Sequence, residues 1–162
     1  MARSAPAPPA PALDVAGARF VVAAAGFHRE LAEALLSGAQ ARLADAGSTQ
    51  TADVVWVPGA FELPLAAKVL AETGTYAAII CVGAVIRGET PHFEYVCSVA
   101  SSGLTRVALD TGVPCTFGVL TTDSLDQAWA RAGGKVGNAG ADAADAAVAL
   151  VNLIARNQSP AR

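Results

Sequence analysis

AAIICVGAVIRGETPHFEY, residues 77–95, contains the strongest indications of how this chain folds. Its apolar run, Ala77–Ile86, is too short to span a bilayer but has the length of a fully buried strand. A turn follows, and Thr90-Pro91 predicts a helix start, because a hydroxyl N-cap and a proline at the first helical position favour that conformation. We therefore expect His92 in the first turn of a helix, directly above the end of a buried strand.

The sequence on either side of this stretch repeats the same order of a strand and then a helix. Besides residues 77–86, strands are predicted at 19–25, 53–57 and 115–120. Helices are predicted at 29–46, from near 61–63 to 73, at 92–110, from the capping segment 121–124 to 131, and at 139–155. Four alternations of strand and helix indicate a parallel sheet with right-handed crossovers and helices on both faces. We expect an α/β, three-layer, flavodoxin-like sandwich around a four-stranded parallel sheet.

Length and composition favour one domain and argue against several classes of partner. The chain has 162 residues, of which 53% are hydrophobic and 15% are charged, and its net charge is -3. This balance gives no reason to expect nucleic acid or an anionic membrane as partner. Prolines at positions 6, 8, 9 and 11 interrupt the first residues, which therefore lack the apolar core of a signal peptide. We predict a flexible Pro/Ala-rich arm at 1–14 and a single domain at 15–162.

The three cysteines point to a reducing compartment rather than to a disulfide framework. Cys81, Cys97 and Cys115 are odd in number, lack CxxC spacing and lie inside predicted strands or helices. Cysteines in such positions behave as small apolar side chains. We interpret all three as reduced, buried thiols of a cytoplasmic protein.

The loops that follow the predicted strands form the candidate site, because ligands of open α/β sheets bind at the carboxyl ends of the strands. Four loops meet there, at 26–28, 58–62, 87–92 and 121–124. His92 is the strongest candidate, since the positive end of a helix dipole favours a neutral imidazole, which can accept a proton. The alternative is a histidine that only fills the helix start. For His28, which no capping signal accompanies, we favour a purely structural role.

The remaining candidates are weaker when each is taken alone. The segment Gly88–Thr90 precedes a helix and offers N–H groups and a hydroxyl to a phosphate, although it matches no P-loop or dinucleotide fingerprint. Glu62 is either a carboxylate that complements a helix dipole or an acceptor for paired hydrogen bonds from a polyol. Phe27 either covers the core or stacks on a planar ring. Without further evidence, Arg131 is taken as a solvated cation at a helix end.

Four segments together resemble the lumazine synthase family, which catalyses the penultimate step of riboflavin biosynthesis. They are VPGAFELP at 57–64, GAVIRGETPHFEYV at 83–96, GVLTTD at 118–123 and RAGGKVGN at 131–138. They occur in order at matching spacing, and the resemblance covers about residues 15–155. Such enzymes condense 5-amino-6-ribitylaminouracil with 3,4-dihydroxy-2-butanone 4-phosphate and give 6,7-dimethyl-8-ribityllumazine, phosphate and water. The resemblance implies that neither a metal nor an organic cofactor is used.

The resemblance implies one set of residues for the pyrimidine substrate. Phe27 would stack on the pyrimidine ring, and Glu62 would accept hydrogen bonds from the ribityl hydroxyls. Ala60 and Phe61 would flank the ribityl chain. Val85 and Ile86 would line the ring pocket.

A second set would serve the phosphate substrate and the chemistry. The phosphate would be held by backbone and hydroxyl donors of Gly88, Glu89 and Thr90. His92 would transfer protons. Because sites of this family lie between neighbouring subunits, Phe117 and Arg131 would come from the adjacent chain, and Arg131 would clamp the phosphate.

The resemblance also implies self-association. A site shared between neighbours predicts pentamers, and the short link at 133–138, which carries no insert, favours their packing into a hollow icosahedral shell of sixty subunits. The low charge content and the alanine-rich last helix agree, because small side chains let helices of different subunits approach closely.

One departure from the family pattern keeps alternatives open. Ala139 stands in the tract GNAG, where family members often carry lysine, so a positive charge near the substrates is missing at that position. One alternative is an archaeal-type riboflavin synthase, which dismutates two lumazines, and another is an inactive flavin-binding shell protein. A flavodoxin-type electron carrier ranks last, because no Ser/Thr-rich phosphate loop follows the first strand. The intact GAFELP and RGETPH tracts favour lumazine synthesis.

Overall fold

The computed structural model describes residues 15–158, so the predicted arm at 1–14 lies outside the described residues. The strands are β1 (Phe20–Ala25), β2 (Asp53–Val57), β3 (Ala78–Ile86), β4 (Cys115–Thr122), β5 (Ala132–Gly134) and β6 (Gly137–Asn138). The helices are α1 (Arg29–Asp45), α2 (Leu63–Glu72), α3 (His92–Thr111), α4 (Leu125–Arg131) and α5 (Ala139–Asn157), with a 3₁₀ turn at Ala60–Glu62. Every predicted strand and helix is present, with bounds that differ by at most two residues. Among residues 15–158, none of the helices has the length and apolarity needed to cross a bilayer.

The four long strands form one parallel sheet in the order β2-β1-β3-β4, which confirms the predicted four-stranded parallel sheet. In the register of this sheet, Val22 lies between Val54 and Ile80, and Ile80 in turn lies opposite Thr116. The run of β3 from residue 78 to residue 84 is buried throughout. A strand that is covered by helices on both faces needs apolar side chains on both sides, which the sequence of β3 supplies.

Side chains of the sheet alternate between two layers of helices. Val22 and Ile80 pack against the layer of α1 and α5, whereas Val21 and Ile79 pack against the layer of α2 and α3. Each fully buried side chain of this kind contributes roughly 1.5–3 kcal/mol of hydrophobic free energy to folding. The chain is therefore a three-layer α/β/α sandwich, as predicted.

Helices α1 and α5 pack with their backbones in close contact. A Cβ at Gly140 would lie 2.0 Å from the carbonyl oxygen of Leu35, so only glycine fits at this contact. Beside it, the side-chain amide of Asn138 donates to the carbonyl oxygen of Ala34 over 3.0 Å. The side-chain oxygen of Asn138 accepts a 2.9 Å hydrogen bond from the N–H of Gly140. Asn138 therefore caps α5 and ties it to α1.

The connection between α4 and α5, predicted only as a break between helices, is a small antiparallel hairpin of β5 and β6. Gly133 and Gly137 adopt φ angles of 107° and 101°, a backbone region that favours glycine. The N–H of Val136 donates to the carbonyl oxygen of Ala130 over 2.8 Å. The connection is short, as predicted, but it is a paired and anchored segment rather than a simple bend.

The start of α3 differs from the prediction at Thr90. Pro91 stands at the N-cap of α3 with a helical φ of -64°, and no side chain caps the helix. A threonine cap at residue 90 would make Pro91 the first residue of the helix, whereas α3 begins one residue later, and Pro91 has the φ that its ring imposes. His92 is the first residue of α3, as expected. The Thr90 hydroxyl is not used for capping.

The three cysteines are free thiols, but the prediction that all of them are buried is wrong for Cys97 and Cys115, which are half-buried. Cys115 opens the edge strand β4 and Cys97 lies beside the buried stripe of α3, so helices cover neither completely. Burial raises the pKa of the Cys81 thiol far above its ordinary value and that of Cys115 to about 11. These two thiols stay protonated at neutral pH and are poor nucleophiles.

Candidate active site

A cavity of about 610 Å³ opens at the carboxyl end of the sheet, which is the edge where the sequence predicts a site. Its walls come from the loop after β1, the segment between β2 and α2, and the end of β3 with the first turns of α3. The lining residues are Phe27, His28, Pro58, Gly59, Ala60, Phe61, Glu62, Ala84, Val85, Ile86, Gly88, Thr90, His92, Phe93 and Val96. A cavity of this size accommodates a small-molecule ligand.

The first wall follows directly from the end of β1. The N–H of Gly26 donates to the carbonyl oxygen of Val57 over 2.8 Å, so the loop leaves the sheet directly beside β2. Phe27 comes next, and its side chain is 80% exposed. The ring of His28 meets the Phe27 ring edge to face, with 5.1 Å between the ring centroids. An exposed aromatic ring at the mouth of a cavity offers a planar ligand a surface for stacking.

The second wall is the 3₁₀ turn before α2. In this turn the N–H of Glu62 donates to the carbonyl oxygen of Gly59 over 3.2 Å. The Glu62 carboxylate folds back over Gly59, with Oε2 only 3.2 Å from the position a Cβ would take there. In the described part of the chain, no hydrogen bond or ion pair occupies this carboxylate. Glu62 can therefore accept hydrogen bonds from a ligand.

The opposite wall joins the end of β3 to the start of α3. Val85 and Ile86 are only half-buried, unlike the preceding residues of β3, because they face the cavity. His92 is exposed, and its imidazole has no hydrogen-bond partner within residues 15–158. Thr90 lies two residues earlier, and the start of α3 carries the positive end of a 20-residue helix. This wall can bind an anion and move a proton.

Arg87 links β3 to this wall without lining the cavity. Its Nε donates to Oδ1 of Asp123 over 2.7 Å, and its Nη1 donates to Oε1 of Glu94 over 2.5 Å. The guanidinium carbon lies 4.3 Å from the centre of the Phe93 ring. Hydrogen bonds to Asp123 and to Glu94 raise the pKa of Arg87 further above its ordinary value. Arg87 therefore stays charged and has two carboxylate partners.

Comparison with known proteins adds an independent observation to this geometry. The sequence profile of the 6,7-dimethyl-8-ribityllumazine synthase family matches residues 17–155. The chain belongs to this lumazine synthase family. A relative from Desulfatibacillum aliphaticivorans, a 6,7-dimethyl-8-ribityllumazine synthase, is 49% identical over 142 residues, which are 87% of this chain and 92% of the relative. The family resemblance drawn from four sequence segments is confirmed.

The cavity brings together nine of the twelve residues that the lumazine synthase resemblance places in the site, namely Phe27, Ala60, Phe61, Glu62, Val85, Ile86, Gly88, Thr90 and His92. Glu89 is exposed in the loop after β3 and does not line the cavity. Phe117 is exposed on the edge strand β4, opposite Cys81, and Arg131 is the exposed last residue of α4. Within one chain, Phe117 and Arg131 do not line the cavity. The roles of all twelve residues stay predictions.

Several lining residues carry no predicted role. His28 lines the cavity although the sequence favoured a structural role for it, and its edge-to-face contact with the Phe27 ring is a preferred geometry for an aromatic pair. Phe93 and Val96 belong to the apolar face of α3, which helical spacing assigns to the core. Their proximity to His92, within one turn of the helix, is the signal that could have placed them. Among residues 15–158, no three His, Cys, Asp or Glu side chains are grouped so as to hold a metal ion.

Proposed function

We propose that this cavity is where the chain condenses 5-amino-6-ribitylaminouracil with 3,4-dihydroxy-2-butanone 4-phosphate. The chain is a transferase of riboflavin biosynthesis, in the family that forms 6,7-dimethyl-8-ribityllumazine. One observation carries the proposal: a single cavity combines an exposed aromatic ring, a carboxylate and a helix start that bears a hydroxyl and an imidazole. These groups suit a planar ring, a polyol and a phosphate, respectively.

The pyrimidine substrate would occupy the side of the cavity formed by β1 and the 3₁₀ turn. Phe27 stacks on the pyrimidine ring, and Glu62 accepts hydrogen bonds from two ribityl hydroxyls. The exposure of the Phe27 ring and the lack of a partner for Glu62 within the described chain support these two roles. Four neighbours complete this half of the site by flanking the ribityl chain and lining the ring pocket. They are Ala60, Phe61, Val85 and Ile86.

The butanone phosphate would occupy the side formed by the start of α3. Gly88, Glu89 and Thr90 hold its phosphate through N–H groups and the Thr90 hydroxyl, at the positive end of the helix dipole. The aryl amine and the ketone form an imine with loss of water, phosphate leaves by elimination, and closure of the second ring releases a second water. His92 takes and returns protons in these steps. Holding two substrates together supplies much of the acceleration, since effective molarities for oriented groups reach ~10⁵ M or more.

The site would be completed by a neighbouring copy of the chain. Phe117 and Arg131 lie outside the cavity in one chain and are exposed, so both are accessible to a second copy. Arg131 of one subunit then binds the phosphate in the cavity of the next, because a guanidinium binds phosphate through two hydrogen bonds. We propose pentamers that pack into an icosahedral shell. Sedimentation velocity tests this assembly: a species near one pentamer contradicts the shell, and a monomer contradicts the shared site.

A turnover assay tests the reaction itself. The purified chain is incubated with both substrates, and the absorbance of the lumazine product is followed. We expect lumazine and inorganic phosphate to form in equal amounts. Incubation with lumazine alone separates the nearest rival, because an archaeal-type riboflavin synthase would then make riboflavin. Tight binding of lumazine without any turnover would instead identify an inactive flavin-binding shell protein.

We also propose that the chain works in the cytoplasm and needs neither a metal nor an organic cofactor. The free thiols support a reducing compartment. The proposed reaction transfers no electrons to or from a cofactor. His92 transfers its protons, and Arg131 stabilises the negative charge of the leaving phosphate. Full activity of protein dialysed against a chelator is the expected result. Activity that a divalent metal restores after dialysis would contradict this proposal.

A further inference from the structure

Arg87 connects three parts of the molecule at the rim of the cavity. Its N–H donates to the carbonyl oxygen of Thr122 over 2.9 Å, which joins the ends of β3 and β4. Its guanidinium reaches Asp123 in the loop before α4 and Glu94 in the first turn of α3. We propose that Arg87 is a positioning residue, which holds the segment 88–92 in the geometry that binds phosphate and presents His92. This inference rests on the proposed function.

The segment between Arg87 and Glu94 has few other constraints of its own. Residues 88–92 are all exposed, and a Cβ built on Gly88 would meet no atom within 4 Å. The helix that follows has no side-chain cap to fix its start. The ion pair from Arg87 to Glu94 therefore closes the segment into a loop whose two ends are held by one side chain. The Phe93 ring beneath the guanidinium limits movement of that side chain.

Direct binding of phosphate by Arg87 fits the geometry less well. Its Nε and Nη1 already donate to Asp123 and Glu94, and the side chain does not line the cavity. One guanidinium and two carboxylates leave this group of charges negative by one, which repels a phosphate. The group is therefore suited to fixing backbone and not to binding the substrate.

The contribution of these ion pairs to global stability is expected to be small. The side chain of Arg87 is 45% exposed, and those of Glu94 and Asp123 are 60% and 68% exposed. Exposed ion pairs add little to the free energy of unfolding. Substitution of Arg87 should therefore change the geometry of the loop and leave the fold in place, which makes the inference testable in folded protein.

The test compares Arg87→Gln with a matched control, Arg42→Gln. Arg42 pairs with Asp145 at 2.5 Å between two helices, its side chain is 48% exposed, and it lies away from the cavity. We expect Arg87→Gln to lower kcat/KM for the butanone phosphate by about 10-fold or more, since small misplacements of reacting groups can cost up to ~10²-fold. The KM for the pyrimidine should stay near its wild-type value. Arg42→Gln should match the wild type in both constants.

Two further variants distinguish positioning from phosphate binding. Glu94→Gln and Asp123→Asn remove the carboxylate partners and keep Arg87. If Arg87 acts by holding the loop, each variant raises the KM for the butanone phosphate, and the combination of Arg87→Gln with Glu94→Gln is no worse than Arg87→Gln alone. If the Arg87 variant is impaired but both partner variants have the wild-type KM for the butanone phosphate, the inference is wrong.

Amide hydrogen exchange gives a readout that does not depend on the reaction. Arg87→Gln should speed exchange of the hydrogen-bonded amides in the first turns of α3, residues 94–100, and leave the rest of the described chain unchanged, because only that end of the helix loses a tether. Uniform acceleration across the protein, or no change at residues 94–100, would overturn the inference. If the wild type makes no lumazine, the proposed function fails, and the exchange measurement still decides whether Arg87 holds the segment.

Discussion

The helix layers on the two faces of the sheet pack differently. On one face, α5 lies against α1 at Gly140, and the Asn138 side chain bonds both helices, so this layer is closed within a single chain. On the other face, the layer of α2 and α3 borders an open cavity and exposes large apolar side chains. These are Phe61, Leu65, Val69, Tyr95, Leu109 and, on β4, Phe117, compared with Leu150 and Leu153 on α5.

This difference separates the part of the molecule that specifies the fold from the part that works on ligands. The α1–α5 layer has no room for an additional atom at its closest contact. The cavity, by contrast, has a carboxylate and an imidazole without partners in the described chain, and two predicted site residues stand outside it. In the close-packed layer, a substitution that adds volume should lower the stability of the fold. In the open cavity, a substitution that removes a polar group or a contact from a neighbouring subunit should lower activity.

The largest effect is expected from Gly140→Ala, which tests the closed layer. The new Cβ would meet the backbone of Leu35, so the helices must separate, at a cost of about 3 kcal/mol or more. Gly88→Ala is the control at the cavity, because no atom lies within 4 Å of its Cβ. Denaturant unfolding at equal protein concentration should show a large loss of stability, or no folded protein, for the first variant only. Equal unfolding midpoints for Gly140→Ala and the wild type would contradict the prediction, because α1 and α5 would then accept the extra methyl group without loss of stability.

A smaller effect, confined to activity, is expected when the open site loses one of its two proposed active groups. His92→Ala should lower kcat by about 10²-fold, as loss of a general acid–base group commonly does. Arg131→Ala should raise the KM for the butanone phosphate by roughly 10- to 100-fold and that for the pyrimidine much less. Both variants should remain folded, because both residues are exposed.

Mixing these two variants tests whether the site is shared. In a randomly mixed assembly, about a quarter of the sites combine an intact cavity from one subunit with an intact Arg131 from the next, so about a quarter of wild-type activity should return. Refolding each variant alone is the control and should restore nothing. If the mixture is as inactive as its components, Arg131 does not act across a subunit boundary.

The smallest effect is expected at the pyrimidine wall. Phe27→Ala removes one stacking surface and should raise the KM for the pyrimidine by roughly 3- to 10-fold, which corresponds to the usual strength of an aromatic contact. His28→Ala is the neighbouring comparison, since it removes the edge contact to Phe27 and keeps the stacking ring. Titration with a ribityl-pyrimidine analogue measures both variants. Wild-type affinity of Phe27→Ala would remove stacking from the proposed site.

The sheet and the position of the site could be predicted because they depend on local sequence. Apolar runs such as 77–86 and the amphipathic spacing of α3 are visible within a dozen residues, and alternation of strand and helix implies parallel pairing. The same rule places the ends of the strands on one edge, which is where the cavity lies. The sequence alone therefore places His92 at a helix start.

The features that sequence reasoning missed depend on contacts between distant residues or on very short segments. Arg87 and Asp123 are 36 positions apart, and nothing near either residue indicates the pair. The hairpin of β5 and β6 has strands of three and two residues, too short to give a periodic pattern. The predicted threonine cap at Thr90 is absent, because Pro91 has a helical φ from its own ring and the helix begins after it without a side-chain cap.

The parallel order of the sheet also has a consequence for the timing of folding during synthesis. Each neighbouring pair of strands is separated in sequence by a helix, so no part of the sheet can form as a local hairpin. The central strand β3 obtains its second neighbour only when β4 has left the ribosome, and α1 obtains its cover only when α5 follows. The apolar surfaces of β1, β3 and α1 are therefore exposed in the growing chain until almost all of the described residues have been made. The sheet cannot be completed before β4 has been synthesised, and α1 cannot be covered before α5 has been synthesised.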